Sequence, residues 1–121
     1  MTQSIRIGIV GYGNLGRGVE TAIAKNSDMT LIGVFTRRDP DSVETLSATT
    51  PVFSMSQLSE FQDTIDVMIL CGGSKDDLPQ QTPELAKMFN TVDSFDTHAR
   101  IPEFYAAVDA QASAHQTTAL I

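Results

Sequence analysis

The feature that most constrains this chain is a junction near its start. Six residues of apolar and β-branched character, Ile5-Arg6-Ile7-Gly8-Ile9-Val10, run directly into Gly11-Tyr12-Gly13-Asn14-Leu15-Gly16, and an amphipathic segment follows. A short run of this kind is the mark of a parallel strand buried on both faces. From Asn14 to about Lys25, apolar Leu15, Val19, Ala22 and Ile23 recur at helical spacing, and Asn26-Ser27-Asp28 closes the helix. A G-x-G-x-x-G hexapeptide alone is weak evidence, but between a buried strand and a helix it marks a dinucleotide-binding turn. Gly11 permits the tight turn out of the strand. Gly13, lacking a Cβ, admits a pyrophosphate to the backbone, and Gly16 lets the helix pack closely on the strand. The helix N-terminus then offers free N–H groups and a partial positive charge to the phosphates.

The remaining chain continues the alternation of strand and helix. A second strand is expected at Met29–Phe35, followed by polar Thr36-Arg37-Arg38-Asp39-Pro40. Residues 41–50 read as a loop or short helix, Pro51-Val52-Phe53 as a brief strand, and Ser56–Phe61 as a short helix with Ser56 as its cap. Ile65–Cys71 is a fourth strand that ends in Gly72-Gly73-Ser74. Pro79–Phe89 reads as a helix and Thr91–Phe95 as a strand. Ile101–His115 reads as a helix with Pro102 in its first turn, and Thr117–Ile121 as a sixth strand. The expected fold is α/β, a Rossmann-type doubly wound parallel sheet of about six strands.

The end of the second strand bears on which dinucleotide is bound. An NAD site usually carries Asp or Glu there, accepting from the adenosine ribose 2′-hydroxyl. Here the strand runs into Thr36, Arg37 and Arg38. A carboxylate would repel a 2′-phosphate, whereas a hydroxyl and two guanidinium groups bind one, arginine gripping phosphate oxygens in pairs. Asp39 stands too late in the loop to be the missing acid, and is expected to pair with an arginine or face solvent. The cofactor expected is NADP.

Composition narrows the partners. A formal net charge of −7 disfavours nucleic acid and anionic membrane surfaces. No run approaches the roughly 18 apolar residues of a membrane span, and no signal peptide precedes Ile5. The one cysteine, Cys71, forms no internal disulfide, which fits a reducing, cytoplasmic setting. At the end of a buried strand it reads as a packed side chain before it reads as a catalytic thiol. His98 follows Asp96 at the carboxyl end of a strand, where lining a site and simple loop hydrogen bonding both remain open. His115 is expected at the surface. With two distant histidines and one cysteine the chain has no metal-site spacing. Asp93 and Asp96 need not face each other, and Gly73-Ser74 lacks the second glycine of a nucleophile elbow.

Several segments together resemble the meso-diaminopimelate dehydrogenase family. They are Ile9-Val10-Gly11-Tyr12-Gly13-Asn14-Leu15-Gly16-Arg17, Phe35-Thr36-Arg37-Arg38, Thr50-Pro51-Val52-Phe53, Leu70-Cys71-Gly72-Gly73-Ser74, and above all Thr91-Val92-Asp93-Ser94-Phe95-Asp96-Thr97-His98 with Ile101-Pro102. The resemblance spans essentially the whole chain. It implies cofactor contacts from Gly11, Tyr12, Gly13, Asn14 and Leu15, from Thr36, Arg37 and Arg38, and from Cys71, Gly72, Gly73, Ser74 and His98. It places Asp96 against the substrate near the nicotinamide. Two positions past His98 the family pattern implies an acid on the substrate amine, where this chain has Arg100. The implied reaction is reversible oxidative deamination of meso-2,6-diaminopimelate to L-2-amino-6-oxopimelate, with NADP and in lysine biosynthesis. Family members are longer, with a second domain that grips the substrate and helps form a homodimer. Residues 1–121 are therefore expected to be the NADP-binding domain of a longer dehydrogenase, binding cofactor with little turnover alone. The apolar ending Ala119-Leu120-Ile121 agrees with that expectation. The rival readings are another two-domain Rossmann dehydrogenase, such as dihydrodipicolinate reductase, and a non-catalytic nucleotide-binding module.

Overall fold

In a computed structural model, which describes residues 3–121, the chain forms one six-stranded sheet with every strand pair parallel. The strands are β1 (Ile5–Val10), β2 (Met29–Thr36), β3 (Val52–Ser54), β4 (Val67–Leu70), β5 (Asn90–Asp93) and β6 (Ala119–Leu120), ordered β3-β2-β1-β4-β5-β6. Helix α1 (Asn14–Ala24) joins β1 to β2, α2 (Leu78–Leu85) joins β4 to β5, and α3 (Ile101–His115) joins β5 to β6. Short 3-10 turns cover Pro40–Ser42, Met55–Phe61 and His98–Arg100.

Strand alternation divides the core between the two faces of the sheet. Ile7, Ile9 and Val34 pack with Ile23 of α1 on one face. Val10, Phe35, Met68 and Leu70 pack with Leu78, Leu85, Phe89, Phe104 and Val108 on the other. Ile9, Val34, Phe35, Met68 and Leu70 have no exposed surface, each burial contributing about 1.5–3 kcal/mol. The continuous apolar character of β1 follows from being covered on both sides.

The expected elements are present, with several different limits. The fourth strand begins at Val67, because Ile65 and Asp66 still belong to the turn: the Ile65 N–H bonds to the Phe61 carbonyl at 3.0 Å. The helix expected over 79–89 is regular only from Leu78 to Leu85, and Met88 and Phe89 close it through bonds to the Leu85 carbonyl. Ser54, not Ser56, caps the 55–61 turn, because its hydroxyl and the Gln57 side chain form a reciprocal capping box. Of the two expectations for Asp39 the solvent-facing one holds, and among the described residues it pairs with no arginine. It is exposed and caps the Pro40–Ser42 turn, accepting from the Asp41 N–H at 3.1 Å. Residues 43–51 form a loop, held from below by a buried acid on α1. The Glu20 carboxylate accepts from the Tyr12 hydroxyl, the Leu46 and Ser47 N–H groups and the Thr50 hydroxyl.

Candidate dinucleotide site

The strand order reverses at β1, so the connections leaving β1 and β4 go to opposite faces and a crevice opens between them. Gly11 makes the turn with a φ of +90°, and a Cβ on it would stand 3.3 Å from the backbone of Cys71 and Gly72. The strand ends are tied here, the Gly11 N–H to the Phe35 carbonyl at 3.0 Å and the Cys71 N–H to the Val10 carbonyl at 2.8 Å. The crevice holds a cavity of about 600 Å³. Its walls come from three segments: Gly11, Tyr12, Gly13 and Asn14; Thr36, Arg37 and Arg38; and Cys71, Gly72 and Gly73.

At the α1 end the cavity is built for an anion. No side chain caps α1, so the N–H groups of its first turn remain available to a ligand. The space a Cβ would take on Gly13 is empty to 4 Å, whereas a Cβ on Gly16 would lie 2.5 Å from the Gly11 carbonyl oxygen. Gly13 leaves room for a ligand, and Gly16 leaves room for the strand itself.

The β2 end carries the positive charge. Thr36 is buried, and its hydroxyl accepts from the Arg38 N–H at 3.1 Å. The Arg38 guanidinium donates to the Tyr12 carbonyl at 3.2 Å, and that of Arg37 crosses the crevice to Asp77 at 2.6 Å. With Arg17, three guanidinium groups face one carboxylate in the cavity wall. That local excess is set in a chain of net charge −7.

Tyr12 lines the cavity and its carbonyl accepts from Arg38, while the side chain is buried and its hydroxyl bonds to Glu20 on α1. Burial opposes the Glu20 charge, but the hydrogen bonds from Tyr12, Thr50, Leu46 and Ser47 together outweigh it and hold its pKa below the usual carboxylate value. Burial pushes the Cys71 thiol up to about 11, so it is neutral at physiological pH and lines the wall as a packed side chain.

Four of the expected site residues lie outside the cavity wall. Leu15 is 48% exposed on α1. The Ser74 hydroxyl donates to the Ser94 carbonyl at 3.3 Å and accepts from the Asp96 N–H at 2.7 Å, stitching the loop after β4 to the loop after β5. Asp96 and His98 follow β5 at the same carboxyl edge of the sheet, both exposed. Asp93 does not pair with Asp96. Its half-buried carboxyl, raised in pKa by burial, accepts from the Thr82 hydroxyl and the Phe95 N–H.

Arg17, Met55, Asp77 and Gln81 also line the cavity and were not anticipated. Asp77 and Gln81 had a signal: they stand four apart, one helical turn, directly after the glycine loop that ends β4. Met55 had none.

No family model matches the chain. It is 62% identical over 110 residues to the meso-diaminopimelate D-dehydrogenase of Lysinibacillus sphaericus, covering 91% of this chain and 33% of that protein. The crystal structure of a C. glutamicum DAP (diaminopimelate) dehydrogenase in complex with DAP superposes with a TM-score of 0.88 at 45% identity, covering all of this chain and 36% of that one. An engineered D-amino acid dehydrogenase bound to NADP+ superposes at 0.87 with 44% identity, over 97% of this chain and 35% of that one. The chain thus spans about a third of the length of the relatives it matches. In sequence and in fold alike, it corresponds to the amino-terminal third of the meso-diaminopimelate D-dehydrogenases.

Proposed function

We propose that this chain binds NADP(H) and supplies the cofactor half of a dehydrogenase acting on meso-2,6-diaminopimelate. One observation carries the reading: the crevice at the strand reversal joins an uncapped helix N-terminus, an open Gly13 and two arginines turned inward. A dinucleotide needs the first two features, and a 2′-phosphate needs the third. The residues present therefore fit NADP. Gly11, Tyr12, Gly13 and Asn14 would hold the diphosphate, Thr36, Arg37 and Arg38 the adenosine phosphate, and Cys71, Gly72 and Gly73 the opposite wall.

The bound cofactor supplies a hydride acceptor. The chain contributes position and field. Ser74, bonded to the loop that bears Asp96, fixes the edge of the sheet where a substrate would enter. Asp96 would hold the substrate ammonium by a charge-assisted hydrogen bond, with His98 beside it. The reaction is the reversible oxidative deamination of the D-centre, within lysine biosynthesis, in a cytoplasmic homodimer whose remaining two thirds grip the rest of the substrate.

The test is calorimetric titration of the chain with NADP, then assay of the full-length enzyme with meso-diaminopimelate. Micromolar NADP binding, together with turnover that Asp96→Asn suppresses at least a hundredfold, is the expected result. Absence of NADP binding overturns the cofactor assignment, and unchanged turnover in Asp96→Asn overturns the role given to Asp96.

A further inference from the structure

One carboxylate stands among the guanidinium groups of the cavity wall. Asp77 is the only acid among the described lining residues, against Arg17, Arg37 and Arg38. The fold seats it firmly. Its Oδ2 accepts from the Gly73 N–H at 3.0 Å, and its own backbone N–H donates to the Gly73 carbonyl at 3.0 Å. Gly72 leaves the room for it, since a Cβ there would lie 2.9 Å from the Asp77 Cβ. Oδ1 remains for Arg37, which reaches it across the crevice at 2.6 Å.

The two partners differ in freedom. The Asp77 side chain is 21% exposed, whereas that of Arg37 is 67% exposed and makes no other hydrogen bond among the described residues. A phosphate dianion arriving at the end of β2 would therefore draw the guanidinium from a fixed acid that already holds it. The exchange gives up the ion pair, and the carboxylate left in the wall repels the newcomer. An NAD ribose has an uncharged hydroxyl at that position and meets neither penalty.

Resting on the NADP reading, we propose that Asp77 is an internal competitor of the 2′-phosphate for Arg37. It is a positioning residue that holds the guanidinium in the empty site and narrows the preference for NADP over NAD. The test is calorimetric titration of wild-type and Asp77→Asn chains with NADP and with NAD at fixed low salt. Asparagine keeps an oxygen for the Gly73 N–H and removes the charge. Asp77→Asn should bind NADP roughly fivefold tighter than wild type, the upper end for a pair with one exposed partner, and NAD within about twofold. The gain should shrink as salt is raised, because the charges involved are open to screening. Asp77→Ser, whose hydroxyl can also accept from Gly73, should shift NADP affinity in the same direction, with urea unfolding showing that the variants are folded. NADP affinity unchanged or weakened in the folded variants, or NAD tightened as much as NADP, overturns the proposal and leaves the NADP reading standing. Failure of the wild-type chain to bind NADP overturns both.

Discussion

The roles of the last two glycines in the turn separate cleanly in the structure, and Gly16→Ala against Gly13→Ala exposes the difference. A methyl on Gly16 would meet the Gly11 carbonyl at 2.5 Å, where ordinary contact begins at 3.4 Å, a shortfall of 3.4 − 2.5 = 0.9 Å. The obstacle is backbone, tied through the Gly11 N–H to β2, so it cannot swing aside as a side chain would. Overpacking of this sort costs about 1–3 kcal/mol. Against it stands the gain of replacing a helical glycine by alanine, roughly 0.5–1 kcal/mol. The crowding wins, and Gly16→Ala is expected to be less stable by about 1–2 kcal/mol, read as a lower urea midpoint at unchanged slope. Gly13→Ala meets nothing within 4 Å and is expected to unfold within about 0.5 kcal/mol of wild type. It should nevertheless bind NADP at least tenfold more weakly, because its methyl occupies the space intended for the diphosphate. A Gly16→Ala chain as stable as wild type would refute the close-approach argument, and undiminished NADP affinity in Gly13→Ala would refute the assignment of that space.

Other consequences follow from the charged and thiol groups. Glu20→Ala removes the acceptor of four donors and is expected to cost roughly 2–4 kcal/mol in urea unfolding, with residues 44–50 losing hydrogen-exchange protection first. Because folding lowers the Glu20 pKa, its contribution is complete above the ordinary carboxylate range and fades as pH falls below it. The same loss of acid stability should therefore be absent from Glu20→Ala. The Arg6 hydrogen bonds draw the Asp66 pKa down to about 2, so the contribution of that exposed pair is present above about pH 4 and disappears between there and pH 2. Asp66→Asn should flatten the acid limb of the stability curve by a small amount. With its pKa raised to about 11, Cys71 should react with a disulfide reagent at pH 8 at least a hundredfold slower in the folded chain than in urea. Equal rates would contradict its burial.

What could be read from the sequence, and what could not, divides by the range of the interactions. β1, the turn, α1 and β2 are visible because glycine punctuation and hydrophobic period are local signals, and the inward orientation of Arg37 and Arg38 followed from their place at the end of β2. The loop expected over residues 41–50 is there, but its anchoring was not legible, because the anchor is Glu20, which on a helix looks like any solvated acid until the fold brings four donors onto it. Asp77 entered the site the same way: forty residues separate it from Arg37, and only the parallel sheet brings them together. The limits of α2 shifted because its last turn tightens, the Lys87 and Met88 N–H groups bonding three residues back to Glu84 and Leu85, while the apolar period continues to Phe89.

The central claim is that the glycine turn takes the diphosphate while the arginines after β2 choose the phosphorylated adenosine. Calorimetric titration of wild-type and Arg37→Asp chains with NADP and NAD at fixed salt tests it most directly. Charge-assisted guanidinium–phosphate bonds are worth about 1.5–3 kcal/mol, so the wild-type chain should prefer NADP by roughly ten- to a hundredfold. Arg37→Asp should abolish that preference with little change in NAD affinity. Equal affinity of the wild-type chain for both dinucleotides, or an equal loss of both in the variant, would contradict it.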